Sequence, residues 1–352
     1  MNTRKIVCGL IAGTAVLVSA AADAEVSLTN KIGTDVVNVT SSEDGDGNVA
    51  SGAKFAGLYD EVTAEVKSDR ISAKVKARAQ LDVDGDGIPA GFDYKGSKFD
   101  WKIKFSPAEN FIFHLNDRFY IPGSYLPVED DNVEGGNLGS RGVSLSFSGI
   151  EGLLVAATVP FGDDSAGMNR FVTENADGAG EFSFRTGFGA SYSPAGFITV
   201  GAAVHNAGLS SFGAGVYASS EPLDGLEVKA GYSYNNNYDG GGKICGVAGK
   251  HQLNAAAVFG ADALSLALDF LADTDGKFYT GLLAGWSFTD AVSAQAVFTA
   301  KAAWSDVPAG IFAVKPSVSF KPGLGTVTVG AEAEFSSSAF GLKFPVYWKV
   351  SI

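Results

Sequence analysis

An alternation of period two, sustained through most of the chain, constrains what this sequence can fold into more than any other feature. Successive side chains of a strand leave on opposite faces, so a sheet that buries one face repeats apolar residues at every second position. In residues 70–82, Ile71, Ala73, Val75, Ala77, Ala79 and Leu81 share one face, while Arg70, Ser72, Lys74, Lys76, Arg78, Gln80 and Asp82 share the other. Phe99, Trp101, Ile103 and Phe105 oppose Lys98, Asp100, Lys102 and Lys104 in the next segment. The same reading places Phe182, Phe184, Phe188 and Tyr192 together, then Leu226, Val228, Ala230, Tyr232 and Tyr234, then Val327, Val329, Ala331, Ala333 and Phe335.

Connections alternate as well. Long ones near 40–52, 83–97, 120–140, 161–180 and 235–248 are separated by tight turns such as Ser68-Asp69, Ser106-Pro107-Ala108-Glu109, Gly149-Ile150-Glu151-Gly152 and Ser193-Pro194-Ala195-Gly196. Proline presets φ for such turns and cannot donate to a ladder. Counting strands between turns gives an all-β, transmembrane, antiparallel up-and-down barrel of about 16–18 strands, with short turns at one end and longer loops at the other. A soluble sandwich or β-helix also alternates. The strand number, the loop rhythm and aromatics toward strand ends (Phe92, Phe119, Tyr120, Phe161, Trp304) favour the barrel.

Residues 253–272 are almost wholly apolar and about long enough for a spanning helix. Gly260-Ala261-Asp262 interrupts them, however, and Leu264, Leu266, Leu268 and Phe270 recur every second residue, so two strands are predicted.

Arg4 and Lys5, the apolar run 6–20 and the triplet Ala22-Asp23-Ala24 have the form of a secretory signal peptide, residues 1–24, leaving one barrel domain over 25–352. The formal net charge of -13 makes nucleic acid an improbable partner. Only Cys245 follows the signal segment, so an intrachain disulfide is excluded for 25–352. His114, His205 and His251 are far apart, and no Ser or Cys is grouped with a His and a carboxylate, so no enzyme is predicted.

The final apolar face, Phe344, Val346, Trp348, Val350 and Ile352, resembles the C-terminal strand by which Gram-negative outer-membrane proteins are recognised for assembly, with Ile352 where those proteins usually carry an aromatic residue. If Ile71, Val75, Trp101 and Ile103 face lipid, then Lys74, Lys76, Arg78, Lys98, Lys102, Lys104, His114 and Arg118 face the lumen as a cationic wall. Glu61 and Glu65 lie beside it, and the 120–140 connection carries Glu129, Asp130, Asp131 and Glu134. This arrangement resembles the general diffusion porins, whose long third loop folds into the barrel and sets acids across from a basic wall.

The resemblance implies passive diffusion of small hydrophilic solutes or ions through a charged, water-filled lumen, in contact with outer-membrane lipid, and a homo-oligomer such as a trimer. A fatty-acid type transporter and a barrel-anchored adhesin are the alternatives, but residues 25–39 alternate like a strand and supply no plug for the first. No cofactor is required. Asp82-x-Asp84-x-Asp86-Gly87 with Asp93 has the spacing of a twelve-residue calcium loop, outside any EF-hand, because strands flank it and Pro89 stands where an aliphatic residue is usual. An ordinary solvated turn is its competing reading. Asp44-x-Asp46-x-Asn48 is a shorter version.

Overall fold

The computed structural model describes residues 25–43, 49–54, 58–83, 89–92, 98–117, 125–132, 142–160, 172–174, 180–182, 187–194, 197–205, 212–235, 247 and 249–351. Its strands form one antiparallel sheet of 18 strands that closes on itself. In chain order they are β1 (Glu25–Glu43), β2 (Val49–Lys54 with Leu58–Lys67), β3 (Ile71–Val83), β4 (Pro89–Phe92 with Lys98–Ala108) and β5 (Phe111–Asp117). Then come β6 (Gly142–Ile150), β7 (Leu153–Pro160), β8 (Gly187–Tyr192), β9 (Ile198–His205), β10 (Gly213–Leu223) and β11 (Leu226–Asn235). The last are β12 (His251–Ala261), β13 (Leu264–Asp273), β14 (Lys277–Thr289), β15 (Val292–Ala303), β16 (Asp306–Phe320), β17 (Thr326–Gly330 with Glu332–Phe335) and β18 (Ala339–Ser351). Two short pairs, Tyr125–Leu126 with Asp131–Asn132 and Val172–Glu174 with Gly180–Phe182, stand outside the wall.

Each strand pairs with its chain neighbours, and β1 pairs with β18 through Ile32 opposite Trp348 and Val39 opposite Leu342. Closure matters physically, because an unpaired strand edge in hydrocarbon would leave its N–H and C=O groups without partners, at several kcal/mol each. Among the described residues no helix is long and apolar enough to cross a membrane.

The registers sort the alternation into an inside and an outside. Leu268 lies opposite Leu282, Leu282 opposite Phe298 and Phe298 opposite Val314, so one row runs across four strands. All four side chains are exposed. Exposed apolar rows of this kind on the outer surface are what acyl chains require, and they mark the barrel as a membrane-spanning one. Aromatic residues sit toward the strand ends: Trp304 stacks on Phe278 with centroids 4.2 Å apart, and Phe335 lies 5.3 Å from Phe340.

The apolar stretch 253–272 is β12 and β13 with a turn between them, in which Asp262 takes φ 45°. Gly260 donates its N–H to Gly225 of the adjacent turn at 2.9 Å. The polar residues scattered through the stretch decide against a helix. Asn254 and Asp269 are both buried, on the face opposite Leu253 and Leu268. Helical spacing would have turned some of them to lipid.

Candidate functional site

The lumen is the candidate site, and its two halves are built differently. A row of small side chains crosses the inward face from β7 to β11: Ala156, Gly189, Ala203, Gly215 and Ser233 are consecutive cross-strand partners. Such a wall leaves volume for the connections to enter. Leu126 and Val247, from the 120–140 and 235–248 connections, are buried there with Leu271, Tyr279 and Tyr217. Burying a leucine-sized side chain contributes about 1.5–3 kcal/mol, so this apolar cluster is a strong reason for the connections to stay inside.

The third connection enters as a small hairpin. Tyr125 is opposite Asn132 and Leu126 opposite Asp131, and the turn closes through Asp130 N–H donating to the Leu126 carbonyl at 2.9 Å, with Asp130 at φ 58°. The Tyr125 hydroxyl donates to Asp130 Oδ1. At the tip, Val128 N–H and Glu129 N–H donate to Asp269 Oδ2 on β13 at 2.7 and 2.9 Å. Lys229 Nζ lies 5.6 Å from the Tyr125 ring centroid and 3.0 Å from Glu227 Oε2.

The other half carries the cations. Because Val75 and Trp101 pair on the outer face, Lys74, Lys76 and Arg78 of β3 and Lys102 and Lys104 of β4 point inward. Lys74 is directly opposite Lys102, and the Arg78 backbone is opposite that of Lys98. Like charges opposed across a ladder repel, and carboxylates on the other side of β3 offset this. Glu61 Oε2 is 3.0 Å from Lys76 Nζ, and Glu65 Oε2 is 3.8 Å from Lys74 Nζ. Further along the wall, Lys315 Nζ lies 2.6 Å from Glu332 Oε1. His114 is buried, opposite Lys104 and Ser144.

The residues singled out in the sequence therefore fall into separate places. Glu61, Glu65, Lys74 and Lys76 come together as ion pairs on one wall, while Glu129 and Asp130 sit on the hairpin anchored to β13. β4 and β13 lie about half the sheet apart in strand order, so they face one another across the lumen. Asp131 lies in the same hairpin. Arg118, Glu134, Asp84, Asp86, Asp93, Asp44, Asp46, Asn48 and Cys245 lie outside the described residues, as do the side chains of Lys98, Asp82 and His205. Among the described residues no group of three His, Cys, Asp or Glu side chains is placed to hold a metal.

One cluster escaped the sequence reading. Arg78 Cζ lies 4.1 Å from the Tyr59 ring centroid, and Lys31 Nζ lies 4.0 Å from that of Tyr347 and 5.9 Å from that of Tyr59. Four strands contribute to it, β18, β1, β2 and β3, and closure of the barrel is what brings β18 alongside β1. The available signal was parity: all four residues fall on the inward face of their strands. Asp269 was missed for a related reason, because it reads as one acid inside an apolar run.

The sequence matches no protein family model and no curated protein. Solved structures do share the fold. A BenF-like porin from Pseudomonas fluorescens Pf-5 superposes with TM-score 0.58 at 10% identity, covering 94% of this chain and 100% of that one. OpdL from Pseudomonas aeruginosa gives 0.56 at 12% identity, covering 94% and 99%. OccAB4 from Acinetobacter baumannii gives 0.54 at 9% identity, covering 93% and 98%. The chain thus has the closed β-barrel fold of these proteins over nearly its whole length.

Proposed function

We propose that this protein is an outer-membrane porin, through which small hydrophilic solutes or ions diffuse passively along a charged, water-filled lumen. The observation that carries the reading is the division of the barrel: exposed apolar residues outside, and inside a wall of part-exposed Lys and Glu side chains facing a hairpin that carries Glu129 and Asp130. Barrels of this strand number are wide enough for an aqueous channel. Facing charges of opposite sign across water produce a transverse field that favours polar solutes over apolar ones. The apolar cluster around Leu126 does not supply a hydrophobic-substrate path, because its largest members are fully buried against one another.

The N-terminal residues 1–24 are proposed to direct export and to be removed. The 82–93 segment is proposed to bind calcium through Asp82, Asp84, Asp86 and Asp93. Limited proteolysis tests this site, with slower cleavage in calcium than in chelator expected; identical cleavage removes calcium from the account.

The channel itself is tested by reconstituting refolded protein in a planar bilayer and recording current in a salt gradient. Large, stepwise conductance is expected, with a reversal potential of the sign that anion preference gives. Silence from protein shown to be folded and inserted would refute an open diffusion pore.

A further inference from the structure

We infer that β13 holds the channel's internal connections, and that Asp269 is the positioning residue that fixes the hairpin tip and thereby the channel's open width. This rests on the diffusion-channel reading. Asp269 and Asp273 lie four positions apart on the inward face of β13, and each carboxylate receives backbone N–H groups from elsewhere in the chain. Asp269 Oδ2 takes those of Val128 and Glu129 at 2.7 and 2.9 Å. Asp273 Oδ2 takes that of Gly249, beside the buried Val247, at 2.8 Å, and its Oδ1 takes that of Lys277 at 2.8 Å.

The Asp269 contact has the properties of a latch. Hydrogen bonds to an ionised acceptor are roughly twice as strong as neutral ones. Asp269 is fully buried, so water does not compete for it, and releasing the hairpin would strand the carboxylate. Its Oδ1 already has no hydrogen-bond partner among the described residues. Lys229, in the same cross-strand row with only Ala256 between, acts favourably on its charge, and Glu129 unfavourably.

Gly281 completes the socket. It is the direct cross-strand partner of Asp269, and a Cβ there would lie 2.5 Å from the Tyr279 hydroxyl oxygen, 2.8 Å from Val128 Cγ1 and 3.0 Å from Val128 Cβ. The space over Gly281, which the tip shares with the Tyr279 hydroxyl, is open because β14 offers no side chain at that point. The bonds are made by amides, so the latch holds whichever side chains the tip presents to the passage. Since β13 faces the cationic strand β4, a tip that left β13 would alter the gap through which solutes pass.

The test compares Asp269→Ala, Asp269→Asn and Gly281→Val with the unmodified protein, using variants shown to be folded by heat-modifiable gel migration. Hydrogen exchange of the 125–132 segment reads the latch without reference to conduction. Exchange at the Val128 and Glu129 amides is expected to be about tenfold faster or more in Asp269→Ala and Gly281→Val, and intermediate in Asp269→Asn. Unitary conductance is expected to change by roughly 1.5- to 2-fold in the same two variants, with added flicker.

Unchanged exchange overturns the latch. Faster exchange with unchanged conductance in a conducting protein overturns its control of width and leaves the porin reading intact. A silent unmodified protein with conducting variants overturns only the idea that the resting channel is open. Silence throughout overturns both readings.

Discussion

Two inward tyrosines show what a single residue decides in this wall. Tyr59 is the cross-strand partner of Gly33, and Tyr217 of Gly231, and each ring reaches over its glycine. A Cβ at Gly33 would meet Tyr59 Cζ at 2.5 Å, and one at Gly231 would meet Tyr217 Cε1 at 2.6 Å. Gly33→Val and Gly231→Val are each expected to lower unfolding stability by about 1–3 kcal/mol through overpacking, measured by urea titration in lipid vesicles. Gly52→Val is the control, since nothing lies within 4 Å of its Cβ position; its shift is expected to stay within about 0.5 kcal/mol. At this scale the sequence was legible in parity alone. The leucines of 264–270 mark one face of β13, which puts Asp269 on the other, but the amides it binds are some 140 residues away and leave no local trace.

At the scale of the strand, period two was sufficient, because lipid imposes it on nearly every outward position while leaving the inward ones free. The same regularity separates 253–272 into β12 and β13, where hydropathy alone would have allowed a helix. It implies a depth-dependent penalty on the outer face. Leu282→Arg, in the middle of the apolar row, is expected to cost about 2–4 kcal/mol, whereas Thr299→Arg, inward on β15, is expected to cost far less. Folding titrations of the two variants in vesicles check this, and equal penalties would contradict the assignment of inside and outside. Strand interruptions were not legible: β17 is broken between Gly330 and Glu332, where Ala331 N–H turns to the Pro316 carbonyl at 2.9 Å. Pro316 has no N–H of its own to give the ladder, and only the register shows which neighbour adjusts.

For the molecule as a whole, charge placement sets the behaviour. Replacing Lys74, Lys76, Arg78 and Lys102 together by Glu is expected to move the reversal potential toward cation preference without unfolding the barrel. An unmoved potential would remove the β3–β4 wall from the account of selectivity. The preference of the unmodified channel is expected to weaken sharply between 0.1 M and 1 M salt, as the screening length falls from about 10 Å to about 3 Å. Placing Lys74, Lys76, Arg78, Lys102 and Lys104 on one face of β3 and β4 needs only local parity, whereas the grouping of Lys31 with Tyr59, Arg78 and Tyr347 depends on which strands meet when the sheet closes. That seam has a temporal meaning as well. β18 is the most distant strand in the chain from β1, so their pairing is expected to form last and the β1 edge to stay open until then. Loop closure of this length is slow, and an open edge recruits other chains. A chain cut before Ala339 would be left with two such edges and no partner for either, so it should accumulate as aggregate instead of as a smaller barrel.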